Sequence, residues 1–239
     1  MNVVAERPRI RPLFWRLTER AGRAVAMIRL RLQVRLEGAV PEGAVLLCSK
    51  HTSSLDISLL ATNVRRLRGA PPYFQMGSFV GYPLLGVLRP VLRALGGFSV
   101  MRPKEVRQLS KRRGWDRESA TQMMRDTNVA ADRVRQDVLG SGGVLIVFPE
   151  GTRDDSELRP LKSEREVLSG IEAARDGVAV RIWPVTIALG PPRWWRRPAV
   201  IRFHEPLELD PTASAIGVLE QIEARLEAGW VPPAEVATA

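Results

Sequence analysis

The sequence predicts an α/β fold: a single domain with a mostly parallel central sheet flanked by helices, preceded by a basic amphipathic N-terminal helix. Three observations predict it. Short apolar runs at 44–48 and 144–148 read as buried strands, and they are separated by segments at helical spacing, the pattern of strands joined through crossover helices. Between residues 28 and 36, apolar positions alternate strictly with Arg29, Arg31, Gln33 and Arg35, which is the period of a strand with one wet face. The 239 residues are 45% hydrophobic and show no Pro/Gly/Ser-rich linker or internal repeat, so one substantial core is preferred to two.

The elements follow in chain order. Residues 1–27 are set apart as an N-terminal amphipathic unit, and 28–239 as the domain proper. In the helix expected over 9–27, Leu13, Phe14, Leu17, Ala21, Ala24 and Ile28 share a face and arginines occupy the rest. Such a helix fits a membrane interface with its apolar face down, and it equally fits an ordinary surface helix packed on the domain. The alternating strand of 28–36 follows, and Gly38, Pro41 and Gly43 supply a turn. After the strand at 44–48, Ile57, Leu60, Ala61, Val64 and Leu67 give a helix, with Ser53 and Ser54 as candidate N-caps.

A loop at Gly69, Ala70, Pro71 and Pro72 precedes a short strand at 73–76. The Leu-, Val-, Gly- and Pro-rich stretch 77–97 reads as core or as an apolar surface. Pro83 fits a helix start and Pro90 a kink. A short strand follows, with Arg102 at its end. Residues 103–128 carry Lys104, Arg107, Lys111, Arg112, Arg113 and Arg117 and read as an exposed excursion. A helix then runs to about 139, followed by the central strand candidate at 144–148. A helix over 164–175, strands at 178–188 and 199–203, and an amphipathic helix through Ile216, Leu219, Ile222, Leu226 and Trp230 complete the chain. The loop between those two strands, around Arg193, Trp194, Trp195, Arg196 and Arg197, suits an interfacial or phosphate-rich surface.

Composition narrows the chemistry. Lys+Arg number 36 against 26 Asp+Glu, a formal charge of +10, which favours anionic partners such as nucleic acid, phosphorylated small molecules or an acidic membrane. The single Cys48 excludes an intramolecular disulfide and any cysteine-cluster metal site, and two separated histidines argue against zinc. No segment reaches the roughly 18–20 apolar residues of a spanning helix. Charges interrupt the N-terminal apolar residues, so a signal peptide is not expected. A peripheral or monotopic place on the cytoplasmic face of a membrane is the expected location.

Two stretches carry candidate chemistry. His51 stands at the end of the 44–48 strand and Asp56 in the first turn of the next helix. A tight turn brings such a pair together, so that the carboxylate fixes the imidazole tautomer and leaves the other nitrogen as a base. The same Ser53-x-x-Asp56 spacing is also that of a capping box. The second stretch is Phe148, Pro149, Glu150, Gly151, Thr152 and Arg153. Proline ends a buried strand there, glycine permits close backbone approach, and Arg153 offers a planar fork for a phosphate. His51, Arg102 and Arg153 all follow apolar strands, and ligands of open α/β sheets sit beyond such ends. His204, beside Glu205, is a conceivable second base and equally a turn residue.

With those blocks in view, the order His51-x4-Asp56, Gly96 to Arg102, Phe148 to Arg153, then Trp183, Pro184 and Val185 resembles the glycerolipid acyltransferases, the family of 1-acyl-sn-glycerol-3-phosphate (lysophosphatidic acid) acyltransferases. The resemblance spans roughly 28–209. It implies an O-acyltransferase with His51 as general base and Asp56 as its orienting acid. It implies that Arg102, Glu150, Gly151, Thr152 and Arg153 bind the glycerol phosphate of a lysophospholipid acceptor. It implies acyl-CoA or acyl carrier protein as donor, no other cofactor and no metal, and a membrane as setting. Lys50 stands where the family often has Asn, and after the second block only Lys162 matches a commoner Lys-Lys-Gly-like stretch. Those departures bear on the acceptor, and a lyso-ornithine lipid or glycolipid is the alternative within the family. Outside it stand a basic nucleic-acid-binding module, for which no helix-turn-helix, zinc-finger or RNA-recognition signature is found, and an inactive membrane-docking protein.

Overall fold

A computed structural model describes residues 7–78, 89–151, 153–191 and 194–236. Thr152 and residues 79–88 of the 77–97 stretch, Pro83 among them, lie outside these. The chain enters through α1 (Pro12–Arg29), with proline at its first turn, where its missing N–H costs nothing. The helix runs through Ile28 and Arg29, two residues past the expected change of period, and passes directly into β1 (Leu30–Leu36). β2 (Ala44–Ser49) is buried at every position. It feeds α2 (Asp56–Arg68), which is preceded by Leu55 rather than by a serine cap. Then come β3 (Tyr73–Gly77), α3 (Arg89–Ala94) and β4 (Gly97–Val100).

The expected excursion over 103–128 is instead helical: α4 (Pro103–Arg113) and the start of α5 (Arg117–Gly140). Two local signals make it so. Gly114 closes α4 in the left-handed region, and the Asp116 side chain accepts a hydrogen bond from the Ser119 N–H to cap α5. Among the basic residues sit Val106, Leu109 and Ala120, which bury against Met101 as a small satellite core. β5 (Val144–Val147), α6 (Glu164–Arg175), β6 (Val180–Leu189), β7 (Arg197–Phe203), β8 (Leu207–Glu208), α7 (Ala215–Gly229) and α8 (Pro233–Val236) follow.

The strands form one sheet in the order β1-β7-β6-β2-β5-β3-β4, with β8 beside β6. β6, β2, β5, β3 and β4 run parallel. β7 and β8 pair antiparallel with β6, and β1 runs parallel to β7, so the sheet is mostly, not wholly, parallel. Each face carries a hydrophobic core. One packs Leu46, Leu145 and Ile182 against α5, α6 and α7, and the other packs Leu47, Ile146 and Trp183 against α1 and α2. With both faces covered, β2 and β5 are almost wholly apolar, as expected of buried parallel strands. The C-terminal ends of β2, β5, β3 and β4 therefore lie along one rim. The segments after β2, β4 and β5, which carry His51, Arg102 and Arg153, emerge there. β2 and β5 are direct neighbours, whereas β4 is two strands away from β5.

Candidate active site

The turn between β2 and α2 is built around one carboxylate. Asp56 is fully buried. Its Oδ2 accepts from the Thr52 N–H at 2.6 Å and the Ser53 N–H at 2.8 Å, and its Oδ1 accepts from the Thr52 hydroxyl at 2.8 Å and the Ser53 hydroxyl at 2.6 Å. Oδ2 also lies 2.8 Å from His51 Nδ1. The acid gathers the turn's donors and the imidazole together, and no side chain caps α2 itself. Burial works to raise the Asp56 carboxyl, but the hydrogen bonds from His51, Ser53 and Thr52 outweigh it and hold the group below its ordinary range.

Two contacts fix the rest of the imidazole. Its ring stacks on Phe148 with centroids 4.2 Å apart. Its Nε2 lies 3.0 Å from Arg153 Nε. A guanidinium N–H only donates, so Nε2 accepts and Nδ1 carries the proton given to Asp56. The ring is therefore the tautomer whose outward nitrogen carries the lone pair. His51 is largely buried, while Arg153 is exposed.

The loop after β5 meets this turn closely. The Asp154 N–H donates to the His51 carbonyl at 2.8 Å, and Arg159 Nε donates to Asp154 Oδ2 at 2.8 Å. Gly151 has φ +71°, and a Cβ there would meet nothing within 4 Å. Its glycine serves the turn conformation rather than the close approach expected from sequence. Arg102 reaches across from the end of β4 to donate to the Gly151 carbonyl at 3.4 Å, with its side chain exposed. The structure thus brings His51, Asp56, Arg153, Gly151 and Arg102 to one rim.

Glu150, which the resemblance assigns to the acceptor, lies inside the fold. Its carboxylate is wholly buried, with Oε1 3.5 Å from Lys50 Nζ and Oε2 accepting from the His51 N–H at 3.3 Å. Burial pushes the Glu150 carboxyl up, against the pull of Lys50 and of the His51 and Arg159 amides. Lys50, equally buried, also donates to the Glu157 carbonyl and lies 5.6 Å from the Trp230 ring centroid. Lys50 and Phe148 are the residues of this site that motif reasoning passed over as functional. The signal for Lys50 was a lysine in an apolar strand-end setting, paired in sign with a glutamate in the second block. Cys48, near the end of β2, is pushed far up by burial and by the Glu166 charge, so its thiol stays protonated and unreactive. His204 sits apart, held by Glu37 Oε2 at 3.0 Å and the Thr186 hydroxyl at 3.1 Å.

A mostly parallel sheet whose rim holds an Asp-steadied histidine and two arginines has the form of an α/β enzyme site. The acyltransferase family matches residues 31–188, a span that contains all of these side chains. The chain belongs to this family, the glycerolipid acyltransferases, and is an O-acyltransferase. No curated protein sequence matches it. Among solved structures, the fold is similar to that of the 1-acyl-sn-glycerophosphate (LPA) acyltransferase PlsC from Thermotoga maritima, with a TM-score of 0.58 and 22% identity over 90% of this chain and 77% of that one. Among the described residues, no helix is long and apolar enough to cross a membrane.

Proposed function

We propose that this protein transfers a fatty acyl group from an acyl thioester, of coenzyme A or of acyl carrier protein, to the free hydroxyl of a lysophospholipid. The preferred acceptor is 1-acyl-sn-glycerol-3-phosphate, and the setting is phospholipid synthesis at the cytoplasmic face of a membrane. The observation that carries this reading is the chain of contacts Asp56, His51, Arg153, at 2.8 and 3.0 Å. A base steadied from behind and faced by a guanidinium is what hydroxyl activation next to a phosphate requires.

In this reading Arg153 exchanges partners. When the acceptor enters, its phosphate takes the guanidinium fork, which is stronger as a charged bidentate contact than as a bond to a neutral ring nitrogen. That releases Nε2 for the acceptor hydroxyl. The hydroxyl oxygen attacks the thioester carbonyl as Nε2 takes its proton, Asp56 stabilises the imidazolium, and the thiolate leaves and takes the proton up. Arg102 adds a second cation to the phosphate. Glu150 supports the site from within by bonding the His51 amide and Lys50, and does not touch the acceptor.

The test is an acyl-transfer assay on purified protein that crosses acyl-CoA and acyl carrier protein donors with phosphate-bearing and phosphate-free lyso-acceptors. Transfer to the phosphate-bearing acceptor, abolished by His51→Ala with the fold intact, is the expected result. Transfer that prefers a phosphate-free acceptor would replace the substrate assignment. A fully active His51→Ala variant would remove the base.

A further inference from the structure

Outside the residues of the candidate active site, α1, β1, α2 and the residue before β7 enclose an open groove of about 380 Å³. Arg23, Arg31, Arg66 and Arg196 line it, and no carboxylate does. Among the described residues none of these four guanidinium groups has a hydrogen-bond or ion-pair partner. Elsewhere in the molecule arginines find acids readily, as Arg65 does with Glu19 at 3.3 Å and Arg197 with Asp155 at 2.9 Å. Four unpaired, solvent-exposed cations around one concavity give it a positive potential that favours an anion there. Arg196 is moreover the one described non-glycine residue with positive φ, at +41°, and strain of this kind collects at ligand-holding positions.

The groove is not only cationic. Leu30 and Leu59 floor it, and Ser58 and Thr62 add hydroxyls. At its lip Met27 and Ile28 of α1 are well exposed, and Trp194 and Trp195, on the loop that carries Arg196, are 96% and 59% exposed. Apolar and tryptophan side chains of this kind are at home at the boundary between headgroups and acyl chains. Leu30 pairs with Arg197 in the sheet register, so the α1 end, the tryptophan loop and the groove share one side of the molecule.

We propose that this groove binds one anionic phospholipid of the bilayer, its headgroup phosphate among the four arginines and its first methylenes against Leu30 and Leu59. None of its lining residues is among those assigned to the acceptor, and the bound lipid takes no part in the chemistry. It rests on the membrane setting given above, not on the acyl transfer.

The test uses the full chain without substrates. Co-sedimentation is measured with vesicles of phosphatidylcholine alone and with vesicles in which about a third is phosphatidylglycerol, for the wild type, for Arg31→Gln with Arg66→Gln, and for a charge-matched control, Arg107→Gln with Lys111→Gln on α4. Each basic residue at an anionic surface contributes about fivefold to partitioning, so the groove variant is expected to lose about twentyfold or more on anionic vesicles. The control should lose less than about threefold. Equal losses in the two variants would overturn the groove and leave general surface charge. A wild type that binds neither vesicle would overturn the membrane setting itself. An oligonucleotide that displaces the wild type from anionic vesicles, but binds the groove variant poorly, would give the groove to nucleic acid instead.

Discussion

Arg153 Nε lies 3.0 Å from His51 Nε2, so the nitrogen proposed as the base is covered by the cation proposed to hold the acceptor. This couples two functions that would otherwise be independent. Removing the guanidinium takes away a phosphate contact and also uncovers the base. Arg153→Ala is therefore expected to raise KM for a phosphate-bearing acceptor by about tenfold to a hundredfold, the range of a lost hydrogen bond to a charged group, while kcat at saturating acceptor stays within a few-fold. Steady-state kinetics with the acceptor varied at fixed donor check this. A fall in kcat at unchanged KM would place Arg153 in the chemistry instead.

Asp56 is the site's structural and chemical pivot, because its two oxygens accept from five donors. Asp56→Asn replaces one oxygen by an NH2 that faces donors. A loss of about 10²–10⁴ in kcat is expected from misplacement of the base, with a stability cost of about 1–3 kcal/mol from the unsatisfied groups. The pH dependence has a definite sign. The folded carboxyl titrates below its ordinary value, so its contribution is present above the unfolded pKa, near ~3.9, and is lost as pH falls through the depressed folded value. Urea unfolding of wild type and variant between pH 3 and 6 should show this loss in the wild type only.

Lys50 and Glu150 form a fully buried pair joining the two motif loops, at 3.5 Å. Lys50→Met leaves a buried carboxylate without its cation, and about 3–5 kcal/mol of stability should go. Glu150 is already pushed up by burial, and loss of Lys50 pushes it further. A raised folded pKa means that the contribution is intact below the unfolded value and is lost as pH rises through the folded one. The Lys50→Met deficit should therefore shrink on acidification. Lys50→Met combined with Glu150→Gln should recover most of it, since a buried pair replaced as a pair is often close to neutral. Chemical denaturation of the single and double variants at two pH values decides the matter.

What the sequence disclosed and what it withheld divide along physical lines. Strands β2 and β5 and helices α2 and α6 were legible because burial on both faces of a sheet, or on one stripe of a helix, leaves an apolar period in the residues themselves. The helical course of 103–128 was hidden because only Val106, Leu109 and Ala120 among many cations are buried. The reversed direction of β7 and β8 left no trace either, since an apolar strand reads the same in both senses. At the site, His51, Asp56 and Arg153 were readable as residue types after strand ends. The ion pair of Lys50 with Glu150 spans 100 positions, and it exists only because β2 and β5 are neighbours, which is a tertiary fact.

The end of α7 offers the most local test of how the periphery supports the site. An added Cβ at Gly229 would lie 1.8 Å from His204 Cε1, closer than any real contact, and His204 is clamped by Glu37 and Thr186 and cannot yield. Gly229→Ala must therefore push the helix end outward, and the next residue, Trp230, is the one whose ring lies over Lys50. Overpacking of this kind costs about 1–3 kcal/mol, a fall in Tm of about 2–4 °C for each kcal/mol at this chain length. The displaced indole should also open Lys50 to water, so Gly229→Ala and Lys50→Met are expected to be non-additive, with the double variant less destabilised than the sum of the two. Burial, against the opposing pull of Glu37, lowers the His204 pKa. The unfolded chain then binds the proton first, and stability falls as pH drops below ~6.5 toward the folded value. His204→Gln should flatten that limb of the stability profile, and thermal melts from pH 5 to 8 on wild type, His204→Gln and Gly229→Ala measure both effects together.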